Sequence, residues 1–231
     1  MTTFVLVPGV CHGRWWYDPV IERLAEQGHT ASAVSLSGLG AHDQLDRMRP
    51  INLDVHISEA TSSVILSQDP GGAVLVGHDY GGSVITGVAD RLPYYVRALV
   101  YVDAFVPDDG DSCYSLTDDE QREWWLGDAG AEDAVQPLPH FDPRARPHPR
   151  ATLLQRIQLT GAWETVPAKH YVAATDWPRQ SPFAPIVERV RADPAWTVHE
   201  WPTGHDVLAE GPERLLELLA QFETVLEPEE W

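Results

Sequence analysis

The sequence predicts an α/β fold, a doubly wound and mostly parallel sheet with a helical cap insertion, on three observations. Short runs of continuous apolar residues recur along the chain, each ending in small or polar turn residues. Helix-length stretches separate them. The chain has 231 residues, 43% of them hydrophobic, enough to bury one large core. Continuous rather than alternating apolarity suits strands covered on both faces, and strand–helix–strand repeats imply right-handed crossovers.

The first strand, Thr3-Phe4-Val5-Leu6-Val7, runs into Pro8-Gly9. A second candidate at 31–35 precedes the turn residues Ser37-Gly38-Leu39-Gly40, a third at 73–76 stops at Gly77, and a fourth at 98–102 stops at Asp103. Helices are predicted over 19–27, 52–67 and 83–91. After Phe105 the texture changes: Pro107, Pro137, Pro139, Pro143, Pro147, Pro149 and Pro167 punctuate the chain, leaving short helical pieces around 116–126 and 151–158 and no strand pattern. Strands resume at 170–175 and 196–201, followed by an amphipathic helix from 212 to about 226. Residues 1–106 and 169–231 therefore read as the core and 107–168 as a cap laid over the sheet. Glu227-Pro228-Glu229-Glu230 reads as a frayed tail.

Charge narrows the function classes. Sixteen Lys and Arg stand against 35 Asp and Glu, a net charge of −19, so the chain lacks the basic field that holds nucleic acid or anionic lipid. No apolar stretch approaches the ~18–20 residues of a membrane span, and no basic region precedes the first strand, so a soluble, cytoplasmic protein is expected. Cys11 and Cys113 are too few for a disulfide framework and form no CxxC pair. No His pair has the spacing and companion carboxylate of a metal site, and no cofactor is expected. Ten His and nine Trp suit a pocket for a small-molecule substrate, the partner expected here. Self-association as a homodimer is left open.

The most informative segment is Gly77-His78-Asp79-Tyr80-Gly81-Gly82, where a strand turns into a helix between glycines. The spacing resembles the Gly-x-nucleophile-x-Gly elbow of α/β-hydrolases, in which small residues let the chain pack against a central residue in strained backbone geometry. The order of two distant segments agrees: Pro8-Gly9-Val10 follows the first strand, where such folds place an oxyanion-hole N–H, and Gly204-His205-Asp206 follows the last, where they place the histidine. The resemblance to the α/β-hydrolase superfamily covers nearly the whole chain. The opening, residues 7–16, resembles plant methylesterases, hydroxynitrile lyases and their bacterial relatives, departing from their usual His-Gly at Pro8. The elbow instead resembles the Gly-His-Asp-Trp-Gly-Gly of epoxide hydrolases and haloalkane dehalogenases.

A carboxylate is already an anion at neutral pH and needs no base for its first attack. Attack on an ester would expel an alkoxide to leave a mixed anhydride, which is uphill. Attack on saturated carbon bearing an epoxide oxygen or a halide gives an alkyl ester of Asp79. Hydrolysis of that ester uses water activated by His205, with the oxyanion held by the N–H groups of Val10 and Tyr80. Two acids are candidates to orient His205: Asp103, after the fourth strand, and Asp176, after the strand at 170–175; an ungapped comparison with the methylesterase pattern sets Trp177 at the acid's place. His78 reads as a packed neighbour. Tyr114, with Tyr80 behind it, is the candidate proton donor to an epoxide oxygen, while His12, Trp15, Trp16, Trp124 and Trp125 are candidates to line the substrate pocket. The most favoured reading is a cofactor-free epoxide hydrolase. A nonhydrolytic cyclase, dehydratase or lyase with Asp79 as general base, a haloalkane dehalogenase and a noncatalytic ligand sensor stand as alternatives.

Overall fold

The structure is a computed structural model that describes residues 1–40, 51–127, 133–209 and 211–222. Its elements follow the predicted order. Strand β1 (Thr3–Val7) leads to helix α1 (Asp18–Glu26), strand β2 (Thr30–Ala33), helix α2 (Leu53–Ser67), strand β3 (Ala73–Asp79), helix α3 (Gly81–Arg91) and strand β4 (Val96–Ala104). Between β4 and the next strand of the sheet come α4 (Cys113–Leu116), α5 (Asp119–Gly127), β5 (Ala134–Val135), β6 (His148–Pro149) and α6 (Arg150–Leu154). The chain closes with β7 (Ala168–Ala174), α7 (Ala184–Ala192), β8 (Trp196–Trp201) and α8 (Glu213–Leu219).

Six strands form one parallel sheet in the order β2-β1-β3-β4-β7-β8. Both faces of its central strands are apolar, which is why their sequence runs do not alternate. Val5, Val7, Leu75, Leu99, Tyr101 and Tyr171 pack on one side in a cluster with residues of α2, α3 and the segment after β4. Phe4, Leu6, Val74, Val76, Val100 and Val172 pack on the other with residues of α1 and α8. Strand order reverses at β1, with β2 on one side and β3 on the other, and in open α/β sheets the crevice at the carboxyl ends beside such a reversal receives ligands. The ends of β1 and β3 meet there.

The structure revises several boundaries. Helix α2 begins after Asn52, whose side chain caps the Val55 N–H at 3.1 Å. Helix α7 went unpredicted: its run 184–192 is short and opens with Pro185 in the first turn. The pieces expected around 116–126 and 151–158 are α4, α5 and the shorter α6. Segment 107–168 also holds a strand pair, β5 against β6, two residues each and too brief for any periodicity to register. The last helix ends its regular part at Leu219, and the expected tail lies outside the described residues.

Candidate active site

Asp79 ends β3 in the left-handed region, φ 50°, an uncommon setting for a residue with a Cβ. Its neighbours enforce it. The β3–β4 register breaks between His78 and Asp79, and the Phe105 N–H reaches back to the Asp79 carbonyl at 3.1 Å. A Cβ on Gly81 would land on the Val7 carbonyl oxygen, so α3 can start this close to β1 only as glycine. A Cβ on Gly9 would stand 2.8 Å from Asp79 Cβ and Oδ2, so the loop after β1 needs glycine to approach the carboxylate. That approach brings the Val10 N–H to Asp79 Oδ2 at 2.8 Å. The other predicted donor, the Tyr80 N–H, makes no hydrogen bond to this carboxylate.

His205, four residues beyond β8, lies between two carboxylates. Its Nδ1 is 2.7 Å from Asp103 Oδ2 and its Nε2 is 3.9 Å from Asp79 Oδ2. Asp103 is itself at φ 44° and 1% exposed. Its Oδ1 accepts the Ala174 N–H at 3.2 Å, and its Oδ2 also accepts the Trp177 indole N–H at 3.0 Å. Of the two proposed acids, Asp103 is therefore the one on His205. Asp176 is exposed, and its backbone N–H binds the Thr203 carbonyl, which corrects its candidacy. Trp177, at the place where the methylesterase pattern sets the acid, instead donates to the acid supplied by β4.

Electrostatics follow from this nesting. Burial works against a charge on His205, but hydrogen bonds and Coulombic attraction from Asp103 and Asp79 outweigh it and hold the imidazole well above its ordinary value. Burial likewise raises the Asp79 carboxyl, yet His205, the His78 ring and the Val10 N–H together hold it below the usual range. Both directions favour the charged forms, a proton on His205 and an ionised Asp79. His78 donates its Nε2–H to the His205 carbonyl at 3.0 Å and stacks on Trp16 at 4.2 Å, the packed role expected of it. Burial first, then the charge of His205, lowers its pKa.

The residues predicted to line the pocket divide. His12 is half-buried, and its Nδ1–H donates to the Val10 carbonyl at 2.7 Å, behind the N–H that serves Asp79. Trp16 is 6% exposed and donates its indole N–H to Asp206 at 3.2 Å, so it fastens the first loop to the His205 loop rather than facing a ligand. Trp15 instead packs beneath the Arg144 guanidinium, 4.2 Å from its ring. Trp125 is buried in the core cluster against Phe105, and Trp124 donates to the Gln136 carbonyl at 2.9 Å. Tyr114 is half-buried, with the Arg122 guanidinium 5.5 Å from its ring. Tyr80 is corrected as a proton donor to substrate: it is fully buried, and its hydroxyl donates to His56 Nδ1 at 2.9 Å. His56 must accept there, because its Nε2–H faces the Ser37 carbonyl at 2.9 Å. Sequence reasoning passed over Phe183, stacked on His205 at 5.5 Å, as well as His56 and His148. Neither histidine sits in a motif, and His148 stands in Arg146-Pro147-His148-Pro149-Arg150, where proline obscures any period.

The family model described as the alpha/beta hydrolase family matches residues 4–218. The chain belongs to the α/β-hydrolase family. As an α/β-hydrolase it is 34% identical over 95% of its length to a carbendazim hydrolyzing esterase of Nocardioides sp. (strain SG-4G), of which 99% is covered. It is 35% identical to Methylesterase 7 of Arabidopsis thaliana, over 53% of this chain and 49% of that protein. Among solved structures, an extracellular alpha/beta-hydrolase from a Paenibacillus species superposes with a TM-score of 0.79 at 20% identity, covering 96% of this hydrolase and 98% of that chain. These similarities establish an α/β-fold hydrolase related to plant methylesterases, and the named relatives are esterases rather than epoxide hydrolases. Among the described residues, no helix is long and apolar enough to cross a membrane.

Proposed function

We propose that this hydrolase opens an epoxide on a small or medium-sized hydrophobic substrate through an alkyl ester of Asp79. The observation that carries the reading is the Val10 N–H on Asp79 Oδ2. In acyl transfer from an ester, that donor must be free for the oxyanion that forms on the substrate. Here the enzyme's own carboxylate occupies it. The arrangement suits a reaction whose tetrahedral oxyanion develops on Asp79 itself, which is the second half of alkyl-ester chemistry.

In the first half, Asp79 Oδ1, which accepts no hydrogen bond from a described residue, attacks an epoxide carbon; the C–O bond of the ring breaks and the ring oxygen takes a proton. The imidazolium of His205 supplies that proton, directly or through water, in place of Tyr114, the first candidate donor, which is kept as a contact to substrate, and of Tyr80, whose hydroxyl is bound to His56. Esterification removes the charge of Asp79, one of the two anions that keep His205 protonated, so the imidazole becomes a base when a base is needed. In the second half, His205 takes a proton from water, and the resulting hydroxide oxygen bonds to the Asp79 carbonyl carbon. Collapse expels the diol oxygen, which recovers a proton from His205. The last proton transfer, from the new carboxylic acid to His205, restores the anion–imidazolium pair.

Repeated turnover of a styrene-oxide-like epoxide in heavy-oxygen water is expected to leave label in the Asp79 carboxylate, read by peptide mass. Asp79→Ala is expected to lower turnover by roughly 10³-fold or more, as loss of a covalent nucleophile does in comparable sites. Aryl esters, the class suggested by the relative's name, and haloalkanes are the comparison substrates. Unlabelled Asp79 with a product that has not gained water would replace this reading with general-base chemistry, and tight binding without turnover would replace it with a sensor.

A further inference from the structure

The residue beside the anion-hole donor is held from across the crevice. Cys11 has φ 64°, a left-handed conformation that costs a non-glycine residue roughly 1 kcal/mol and persists only where its surroundings dictate it. Three contacts from the segment between β4 and β7 dictate it. The Cys11 N–H donates to His148 Nδ1 at 3.3 Å, its carbonyl accepts the Arg146 N–H at 2.9 Å, and its Sγ lies 3.6 Å from the Val135 carbonyl. Val135 and His148 are paired partners in the β5–β6 ribbon, and Arg146 lies two residues ahead of β6, so the three contacts come from the ribbon and its approach.

We propose that His148 is a positioning residue for the anion hole, fixing through the Cys11 N–H the turn that aims the preceding Val10 N–H at Asp79. Its tautomer is determined by its surroundings. Nδ1 must accept, because the backbone offers it only a donor. Nε2 then carries the hydrogen and donates to Thr152 Oγ1 at 2.8 Å, and the Thr152 hydroxyl passes its own hydrogen to the Pro149 carbonyl at 2.7 Å. His148 is fully buried and held neutral, by burial first and by the nearby His56 second, while the Tyr80 ring lies edge-on at 4.8 Å. A neutral imidazole in one tautomer is a fixed acceptor. A protonated ring would set a second N–H against that of Cys11. The segment between β4 and β7 is thus tied to the loop that carries the donor on which the second half-reaction depends.

The inference rests on the alkyl-ester reading, and its test separates the two. His148→Leu removes the acceptor at similar bulk, and His148→Asn restores one near the Nδ1 position. In single-turnover experiments with an epoxide, His148→Leu is expected to leave alkylation within about 3-fold of the parent. Hydrolysis of the ester should slow roughly 10–100-fold, by analogy with loss of part of an oxyanion hole, so that alkylated Asp79 accumulates in the intact-protein mass. His148→Asn should recover most of the hydrolysis rate. Amide exchange of Val10 and Cys11 should quicken in His148→Leu and return in His148→Asn. Unchanged exchange and an unchanged ratio of the two rates would overturn the positioning role, and exchange that quickens without a change in hydrolysis would reduce it to a structural one. Unlabelled Asp79 in the parent enzyme overturns the alkyl-ester reading instead, and amide exchange then still decides whether His148 holds the loop.

Discussion

At the scale of single residues, the outcome turns on which group owns a hydrogen bond. The Val10 N–H is taken by Asp79, and the Tyr80 hydroxyl by His56, so neither is at the disposal of a substrate in the resting site. Asp79→Ser makes the first of these reversible. The shorter side chain should release the Val10 N–H while leaving His205 on Asp103, and the expected outcome is measurable p-nitrophenyl acetate hydrolysis above that of Asp79→Ala, together with loss of epoxide opening. An Asp79→Ser variant no better on the ester than Asp79→Ala would count against the proposal that donor occupancy disfavours acyl chemistry at this site. The elbow, the histidine and the loop after the first strand were legible in the sequence because each sits in a short motif of fixed backbone geometry. Asp103 and Asp176 were not separable there. Both follow apolar strands, and what distinguishes them is the positive φ of Asp103 and the approach of Ala174 and Trp177, which are contacts across about seventy residues of sequence.

At the scale of elements, the strands of the sheet were legible because both faces of the central ones are buried, and the same burial fixes where they end. The short elements were not. The β5–β6 ribbon has two residues per strand and α6 has five, below the length at which any periodicity can register, although His148 and Val135 of the ribbon contact Cys11 in the loop after β1. The exit from this segment is fastened by Asp90 near the end of α3, whose carboxylate accepts the Thr160 N–H at 2.8 Å, the Thr160 hydroxyl at 3.1 Å and the Trp163 N–H at 3.3 Å. Asp90 is 9% exposed. Asp90→Ala would strand the buried Trp163 N–H, at about 1–3 kcal/mol for a group left unsatisfied, while water can replace the carboxylate at the exposed Thr160. The expected result is an unfolding free energy, from urea titration, lowered by a comparable amount, with kcat on the folded fraction changed less than 3-fold. A midpoint within experimental error of the parent would mean that water or rearranged chain replaces the carboxylate.

At the scale of the whole molecule, the histidines set the response to acid. His12, His56, His78, His148, His170 and His199 are all pushed below the ordinary value, in each case by burial first. A group whose folded pKa is depressed binds its proton in the unfolded chain before it does in the folded one. Stability is therefore lost as pH falls through the ordinary histidine range. For the fully enclosed His56, His78 and His148 this amounts to about 1.4 kcal/mol per pH unit for each proton that only the unfolded chain holds. His205 acts in the opposite sense, because its folded pKa is raised: its contribution is complete below about 6.5 and fades as pH climbs through the elevated value. Six groups oppose one. The denaturation midpoint is expected to fall steeply between pH 7 and pH 5, before carboxylates held down by their partners, such as Asp79 and Asp118, begin to protonate. A flat profile across that interval, measured by urea titration at constant ionic strength, would contradict the buried neutral state of His56, His78 and His148. Only their number was available from the sequence, since a histidine's burial depends on helices and loops far from it along the chain.

On the proposed reading, the occupied Val10 N–H also bears on which reagents would label this protein. Fluorophosphonates and boronic acids find their targets by adding to a nucleophilic hydroxyl and lodging an anionic oxygen against vacant backbone donors. Here Asp79 stands in place of a hydroxyl and already holds the Val10 N–H, so if the alkyl-ester reading is right, such labels are expected to leave the protein unmarked. The same reading expects reagents that alkylate carboxylates to mark Asp79 instead.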